Sequence, residues 1–263
     1  MKYSIITINY NNRDGLRRTI ESVVNQTCQD FEYIIIDGGS TDGSVDVIKE
    51  YADRIDYWVS EPDKGIYNAM NKGILQAHGE YLNFMNSGDC FYDTEVLEHI
   101  YTSLDADIVI GKYQKSNEST PWHFLYEDVT FLDLYVGTFC HQATFIHEHL
   151  FHDCLYDENF KMVSDWKFFL EKLIHQDASF RNTNIVIVNY DATGVSNQMD
   201  DLVKLERETI LKSFQKKRIL LDYEKFAASY YYVDLIPLLT GSFRYKKIVR
   251  FILQILIKLK KYI

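Results

Sequence analysis

Short apolar runs alternate with helical patterns along the first 113 residues of the chain. Residues 3–8 are a compact run rich in β-branched side chains, which is typical of a buried parallel strand. Apolar residues then recur at helical spacing over 16–24, with Asp14 available as the N-cap of that helix. The same alternation predicts strands at 31–37, 55–59, 81–85 and 107–111, and helices through 45–51, 66–77 and 96–104. The pattern predicts an α/β fold with a mostly parallel central sheet and helices on both faces.

The second half of the chain is less regular. Its patterns predict a helix over 165–173, a strand over 184–188 and a long charged helix over 200–221. No Pro/Gly-rich linker separates the halves, so we expect residues 1–115 and 116–221 to be two halves of one catalytic domain. Residues 222–263 are predicted to form C-terminal helices that end in a basic tail.

Polar residues cluster where the predicted strands end. These clusters occupy residues 9–11, 37–42, 61–65 and 86–89. Because the carboxyl ends of parallel strands meet at one edge of an open sheet, the sequence predicts a ligand site along that edge.

The composition narrows the functional classes. Hydrophobic residues make up 46% of the chain and charged residues 25%, which is typical of a folded globular protein. The net charge of −10 makes nucleic acid an unsuitable partner. However, residues 241–263 contain seven Lys or Arg and no carboxylate, which leaves 21 basic residues against 38 acidic ones elsewhere. A tail of opposite charge indicates a partner of its own.

The four cysteines are scattered without a C-x-x-C pair, so we expect reduced thiols and no zinc site. The N-terminal apolar run is too short for a signal peptide, and no run of 18 uncharged apolar residues predicts a transmembrane helix. These features favour a cytoplasmic catalytic body.

The loop Asp37-Gly-Gly-Ser-Thr-Asp42 lies where a buried strand meets a helix. Its glycines allow a ligand to approach the backbone, and the helix N-terminus offers unpaired N–H groups. Asp42 is equally suited to capping that helix. Asp37 differs, because a carboxylate at the end of an apolar strand needs a hydrogen-bond donor, and a base or ribose would supply one.

Together with the opening Ser4-Ile-Ile-Thr-Ile-Asn-Tyr-Asn11, this loop resembles glycosyltransferase family 2, of the bacterial surface-polysaccharide type. The likeness continues through Asp63-Lys-Gly-Ile-Tyr-Asn-Ala-Met-Asn-Lys-Gly73 and Asn86-Ser-Gly-Asp89. It is strong over 1–115, weak over 138–196, and absent from the tail. The resemblance implies a GT-A, Rossmann-like fold and an inverting enzyme that uses a nucleoside-diphosphate sugar.

The resemblance also implies which residues contact the donor nucleotide. In that role we expect Asp37 to accept a hydrogen bond from N3–H of uracil or N1–H of guanine, between which the sequence does not choose. The full set of implied donor contacts is Thr7, Asn9, Asp37, Ser40, Asp63, Lys64, Gly65, Asn71, Asn86, Ser87 and Gly88.

Residues 86–89 occupy the position of the family's metal-binding D-x-D motif. Asp89 retains the last carboxylate of that motif, whereas Asn86 and Gly88 replace acidic positions. We expect Asp89 to bind Mg²⁺ or Mn²⁺, since a diphosphate supplies further oxygen ligands. The alternative is a plain Ser-Gly-Asp turn.

An inverting transfer needs a base, and the resemblance implies Asp165 for that role. The alternative is a first-turn Asp that stabilises its helix, with Ser164 as the cap. Asp157 is the second candidate for the base. His141 and Gln142 match a family position near the acceptor or the metal, although a lone histidine is as often structural, and Gly194–Ser196 resembles a loop near the donor.

The basic tail from 244 to 263 has a helical period. Its Lys and Arg residues recur every three to four positions, and apolar residues fill the rest. The pattern predicts a helix lying in an anionic membrane interface. The alternative is a helix packed against the body or against a second subunit of a homo-oligomer.

The resemblance implies a hexosyl- or N-acetylhexosaminyltransferase, and the pattern of the tail predicts that it associates peripherally with the inner face of the plasma membrane. Its acceptor would be a lipid-linked glycan in cell-surface polysaccharide synthesis. The alternatives are a nucleotidyltransferase, which should carry a Gly-rich basic loop after the first strand, and a non-catalytic nucleotide-sugar-binding protein.

Overall fold

A computed structural model describes residues 1–116, 118, 120–122, 128–191 and 200–233. The membrane-binding segment expected at 244–263 and the loop Gly194–Ser196 lie outside these residues. Two units make up the chain, residues 1–210 and residues 211–263. The division of the chain predicted from the sequence, with boundaries after residues 115 and 221, stays a prediction.

Eight strands form one sheet in the order β3-β2-β1-β4-β7-β6-β8-β5. Their bounds are β1 Tyr3–Asn9, β2 Phe31–Asp37, β3 Tyr57–Ser60, β4 Tyr81–Phe84, β5 Cys90–Phe91, β6 Ile108–Lys115, β7 Thr144–His147 and β8 Phe180–Tyr190. The helices are α1 Arg13–Val24, α2 Ser44–Glu50, α3 Ile66–Ile74, α4 Val96–Ile100, α5 Phe131–Val136, α6 Ser164–Phe169, α7 Asp200–Phe214 and α8 Lys217–Val233.

The sheet is mostly parallel, with two exceptions. Strands β3, β2, β1 and β4 run parallel to one another, as do β6 and β8. Strand β7 runs antiparallel to both of its neighbours, β4 and β6, and β5 runs antiparallel to β8. Because β7 reverses direction on both sides, β6 and β8 regain the direction of β1. The carboxyl ends of six strands therefore lie along one edge of the sheet.

Helices cover both faces of the sheet, as the sequence predicts. Ile5 and Ile35 join a core with the buried side of α1, including Leu16 and Ile20. Ile6 lies on the opposite face, where α3 approaches so closely that a Cβ on Gly73 would stand 2.5 Å from Ile6 Cγ2. The alternation of strand side chains between the two faces produces this division.

Several predicted boundaries need correction. Asn12, not Asp14, caps α1 by accepting a hydrogen bond from the Gly15 amide. The predicted helix over 165–173 is α6 followed by a π-helical turn over Leu170–His175, and the helix predicted over 200–221 is two helices, α7 and α8. The strands β5 and β7 were not predicted: β5 is only two residues long, and β7 forms by pairing with β4 and β6 from distant parts of the chain.

All four cysteines are free and partly buried. Within the described residues, no helix combines the length and apolar character needed to cross a bilayer.

Candidate functional site

The carboxylate of Asp37 joins three strand ends at the predicted edge. Its Oδ1 accepts hydrogen bonds from Asn9 Nδ2 at 2.7 Å and Ser40 Oγ at 2.6 Å, and its Oδ2 accepts from Ser60 Oγ at 2.6 Å. The amides of Gly39 and Ser40 also donate to Oδ2. Since Asn9 ends β1, Asp37 ends β2 and Ser60 ends β3, one buried side chain fixes all three ends.

These contacts keep Asp37 ionised. Burial alone would raise its pKa, but the hydrogen bonds from Ser40, Ser60 and Asn9 outweigh burial and hold the pKa below its ordinary value. Five protein donors also leave the carboxylate little capacity for a base. The hydrogen bond to uracil or guanine expected from the sequence would therefore have to replace one of these donors.

The surface beside Asp37 is open and carries an aromatic ring. Tyr10 is 68% exposed, and its ring would lie 3.1 Å from a Cβ at Gly38. The same hypothetical Cβ at Gly38 would lie only 2.5 Å from Asp63 Oδ2. Glycine at position 38 thus lets the Asp63 carboxylate lie directly against the loop. The sequence analysis gave Tyr10 no role of its own.

Two of the residues expected to contact the donor nucleotide make hydrogen bonds within the protein. Thr7 is fully buried, and its Oγ1 donates to the Met85 carbonyl while lying 3.0 Å from Tyr33 Oη. The amide of Asn71 donates to the carbonyl of Tyr156 and accepts from the amide of the same residue. Both side chains make hydrogen bonds within the protein, and their expected role as contacts to the nucleotide stays a prediction. Lys64 and Gly65 remain exposed, and Ser87 is partly exposed.

The turn over residues 86–89 explains part of the departure from the D-x-D pattern. Its backbone is closed by the Asp89 amide donating to the Asn86 carbonyl at 3.0 Å. Gly88 adopts a φ of 110°, a conformation that a residue with a side chain rarely tolerates. An acidic residue at position 88 would strain this turn. Thr19 on α1 anchors the turn by donating to the Asp89 carbonyl and accepting from the Gly88 amide.

Asp89 is buried, and its hydrogen bonds only partly replace the hydration that its carboxylate loses. Its side chain accepts hydrogen bonds from the Asp191 amide and from Gln142 Nε2, both at 2.8 Å. Burial raises the pKa of Asp89 to about 6 in spite of these two donors. Asp191 follows β8 at the same edge, and its negative charge adds to the rise. Asp191 could not be identified from the sequence, because its proximity to Asp89 depends on the pairing of β8.

The turn fits a divalent cation that also binds a diphosphate. A buried carboxylate with a raised pKa gains from a nearby positive charge. Asn86 Oδ1 is buried and has no hydrogen-bond partner among the described residues, so it offers a second hard oxygen. No group of three His, Cys, Asp or Glu side chains in the described part of the chain forms a complete metal cage. Most of the ligands would have to come from the nucleotide and water.

Asp165 lies at the start of α6 and is held through both oxygens. Tyr67 Oη donates to Oδ1 at 2.7 Å, and His141 Nδ1 lies 3.1 Å from Oδ2. Burial would raise the pKa of Asp165, but the contact with His141, followed by that with Tyr67, holds the pKa below its ordinary value. The residue is therefore ionised at neutral pH. Ser164 does not cap the helix, which begins without a side-chain cap.

The second candidate base is less suited to the role. Asp157 forms an ion pair with Lys167 and accepts hydrogen bonds from the amide and side chain of Asn159. Its pKa is lowered, since the contacts with Lys167 and Asn159 outweigh burial. A proton taken from an acceptor would have to break this ion pair.

His141 and Gln142 lie on one 3₁₀ turn between the two carboxylates. His141 contacts Asp165, and Gln142 contacts Asp89, at the distances given above. The other ring nitrogen of His141 lies 2.9 Å from Asn86 Nδ2. The structure thus brings Asp89, Asp165, Asn86, His141 and Gln142 together, while Asn9, Asp37, Ser40 and Asp63 form a neighbouring group at the ends of β1 and β2.

Comparison with known proteins shows the family of the chain. The family model described as glycosyl transferase family 2 matches residues 4–155. A PGL/p-HBAD biosynthesis glycosyltransferase of Mycobacterium bovis is 28% identical over 216 residues, covering 78% of this chain and 83% of the relative. An uncharacterized glycosyltransferase of Mycobacterium tuberculosis is 32% identical over 214 residues, covering 75% of this chain and 78% of the relative.

Solved structures show the same fold. The crystal structure of Staphylococcus aureus TarS 1–349 has a TM-score of 0.62 and 20% identity, covering 73% of this chain and 61% of TarS. Mannosyltransferase PcManGT from Pyrobaculum calidifontis, solved with GDP-Man and Mn²⁺, has a TM-score of 0.57 and 13% identity. The likeness covers 73% of this chain and 57% of PcManGT. The GT-A fold expected from the sequence is thereby confirmed.

The raised pKa of Asp89 predicts an effect on stability. A raised pKa means that the folded state binds the proton more tightly, so stability falls as the pH rises from about 4 to about 6. Relative to an Asp89→Asn variant, the free energy of unfolding of the metal-free protein should fall by roughly 3 kcal/mol across that window. Urea unfolding at a series of pH values measures the difference.

Asp157→Asn is the matched control. Because the pKa of Asp157 is lowered, the sign is opposite, and the wild type should gain stability relative to this variant as the pH rises. Parallel curves for the wild type and Asp89→Asn would show that Asp89 titrates normally and would refute the prediction.

Proposed function

The chain belongs to glycosyl transferase family 2 and is a glycosyltransferase, and from this premise we propose that it moves a sugar from a nucleoside-diphosphate sugar to a glycan acceptor with inversion at the anomeric carbon. One observation carries the proposal. Three buried carboxylates, Asp37, Asp89 and Asp165, stand at one edge of the sheet, each with different partners. The family match favours this reading over the nucleotidyltransferase that the sequence left open.

The nucleoside end of the donor would bind beside Asp37. The network of Asn9, Asp37, Ser40 and Ser60 provides a rigid floor, since its hydrogen bonds are already made before a ligand arrives. The exposed ring of Tyr10 offers a face on which a base can stack. Stacking accepts either uracil or guanine. The donor is therefore proposed as a UDP- or GDP-sugar carrying a hexose or an N-acetylhexosamine.

The diphosphate would lie at the turn over residues 86–89. Asp89 and Asn86 Oδ1 would hold Mg²⁺ or Mn²⁺ there, and the ion would supply positive charge to the departing diphosphate. Ionisation of Asp89 is required for this role. Because its pKa is about 6, the carboxylate is mostly ionised at neutral pH even before a cation approaches.

Asp165 would take the proton from the attacking hydroxyl of the acceptor. Tyr67 and His141 each use one oxygen of the carboxylate, and every carboxylate oxygen has a second lone pair. One side of Asp165 thus remains able to receive a proton. In an inverting transfer the base stands opposite the leaving group, and a single displacement follows from that arrangement.

The acceptor is proposed to be a lipid-linked glycan of a cell-surface polysaccharide. Two features support this. The charge pattern of residues 244–263 is that of a helix in an anionic membrane interface, which would bring a peripheral enzyme to a lipid-linked acceptor at the inner face of the plasma membrane. In addition, the relative from M. bovis is named for PGL/p-HBAD biosynthesis.

A panel of nucleotide sugars tests the donor class. Thermal unfolding should be measured with UDP- and GDP-sugars, with and without Mn²⁺. A donor at 100 times its Kd should stabilise the fold by about 2.7 kcal/mol, which raises Tm by roughly 5–10 °C for a domain of this size. If no member of either class changes Tm, the nucleotide-sugar proposal fails.

Replacement of Asp165 tests the base. Asp165→Asn keeps the shape of the side chain but cannot accept the proton, so transfer should fall by about 10²- to 10⁴-fold. Donor affinity, measured by calorimetry, should stay close to that of the wild type. Asp157→Asn is the control and should leave turnover within a few-fold. Weak donor binding with normal turnover at saturation would instead make Asp165 a binding residue.

Truncation tests the tail. A protein ending at Thr240 should still bind the donor but lose binding to vesicles that contain anionic lipid, whose attraction is about 1 kcal/mol per basic residue near the surface. Flotation with anionic and neutral vesicles, at low and high salt, measures the effect. If truncation leaves vesicle binding unchanged, or instead dissociates an oligomer, the tail is a protein-packing element.

A further inference from the structure

Two consecutive side chains of one short turn reach two different buried carboxylates. The turn is the 3₁₀ segment His141–Ala143, directly before β7. Gln142 Nε2 donates to Asp89 Oδ2 at 2.8 Å, and His141 Nδ1 lies 3.1 Å from Asp165 Oδ2. Adjacent Cα atoms are about 3.8 Å apart, so the separation of the two carboxylates depends on a single piece of backbone.

The amide of Gln142 has only one useful orientation. Its Oε1 accepts a hydrogen bond from the Cys140 thiol at 3.3 Å, and its Nε2 therefore faces Asp89. Burial raises the pKa of the Cys140 thiol to about 12, so the thiol stays protonated and remains a donor. Gln142 itself is buried, which leaves its amide no alternative partner in water.

The orientation of His141 is fixed from both sides of its ring. Asn86 Nδ2, a donor, lies 2.9 Å from Nε2, so Nε2 accepts. The ring proton is then on Nδ1, where it is donated to Asp165. The same side chain thereby connects the turn that carries Asp89 with the helix that carries Asp165.

The backbone of the 3₁₀ turn is itself anchored. Asn83 of β4 donates to the carbonyls of Gln142 and Thr144 at 2.9 and 3.0 Å. Thr144 Oγ1 and the Ala143 amide both donate to the Cys140 carbonyl. These contacts tie the turn to the centre of the sheet, so the turn can act as a fixed reference for both carboxylates.

We propose that His141 and Gln142 are positioning residues, which hold the base Asp165 and the cation-binding Asp89 at a fixed separation. The inference rests on the function proposed above and assigns a different step to each residue. Gln142 orients Asp89 toward the cation and diphosphate, whereas His141 orients Asp165 toward the acceptor hydroxyl. Neither residue touches the reacting atoms.

Substitutions of the two residues should therefore affect different measurements. Gln142→Met keeps the size of the side chain but removes the donor, and should weaken Mn²⁺ binding to the complex with UDP or GDP, whichever the thermal screen selects, by about 10- to 100-fold, as for other residues that support a metal ligand. Calorimetric titration of Mn²⁺ measures this without any turnover. The His141 variants lose a contact with Asn86 but none with Asp89, so in the same titration they should weaken Mn²⁺ binding less than Gln142→Met does.

The role of His141 is tested by substitution with Asn and with Gln, whose side-chain amide nitrogens imitate different nitrogens of the histidine ring. The amide nitrogen of Asn lies near the position of Nδ1 and can donate to Asp165, whereas that of Gln lies near Nε2 and cannot. His141→Asn should keep kcat within a few-fold of the wild type. His141→Gln should lower kcat by about 10- to 100-fold with an unchanged KM for the donor.

The outcomes separate this inference from the proposed function. If the wild type binds UDP or GDP with Mn²⁺ and transfers sugar, but both His141 variants have equal kcat, the positioning role of His141 is wrong. The same conclusion holds if His141 and Gln142 variants all weaken Mn²⁺ binding alike, because the turn would then be merely structural. If one His141 variant fails to fold, the kcat of the other, compared with the wild type, still tests the role of His141. The Mn²⁺ titration of Gln142→Met tests the role of Gln142 separately. A wild type that binds no nucleotide sugar overturns the function instead.

Discussion

Burial of negative charge is the constraint on which this site depends. Asp37, Asp89 and Asp165 are at most 9% exposed, and removing a carboxylate from water is costly unless donors or cations replace the lost hydration. Each residue meets this requirement to a different degree. Asp37 has five donors and a lowered pKa, Asp165 has two partners and a lowered pKa, and Asp89 has two donors but a raised pKa. The three roles proposed for them follow this order: a structural anchor, an ionised base, and a ligand for a cation.

The reversal at β7 places these groups at one edge. Because β7 is antiparallel to both β4 and β6, its two reversals cancel, and β6 and β8 have the direction of β1. Asp191, which follows β8, therefore lies at the same edge as Asp89, and its amide donates to that carboxylate. The turn that carries His141 and Gln142 lies directly before β7, beside the end of β4. The strand that reverses the sheet therefore also brings in the side chains that hold two of the carboxylates.

Local patterns predicted the first half of the fold well, and tertiary contacts explain where prediction stopped. The run at 31–37 matches β2 residue for residue, because a buried β-branched strand is visible in the sequence itself. Strand β7 has four residues and no such signal. Likewise, Asp89 and Asp165 were expected from a family motif, but their partners Tyr67 and Gln142 come from distant parts of the chain. The internal hydrogen bonds of Thr7 and Asn71 likewise depend on Met85 and Tyr156, which local patterns do not connect with them.

The departure from D-x-D then has a physical explanation in the turn itself. At a φ of 110°, Gly88 permits the tight backbone that brings the amide of Asp89 to Asn86, and an aspartate there would be strained. In the proposed site, the turn would offer one carboxylate and one amide oxygen to a divalent ion, where the usual motif offers more negative charge. Mg²⁺ and Mn²⁺ need about six oxygen ligands, so the oxygens of the diphosphate become the larger part of the coordination shell. Affinity for the ion should consequently depend on the nucleotide more strongly here than in a site with two or three carboxylates. The support that Gln142 gives to the single carboxylate matters more for the same reason.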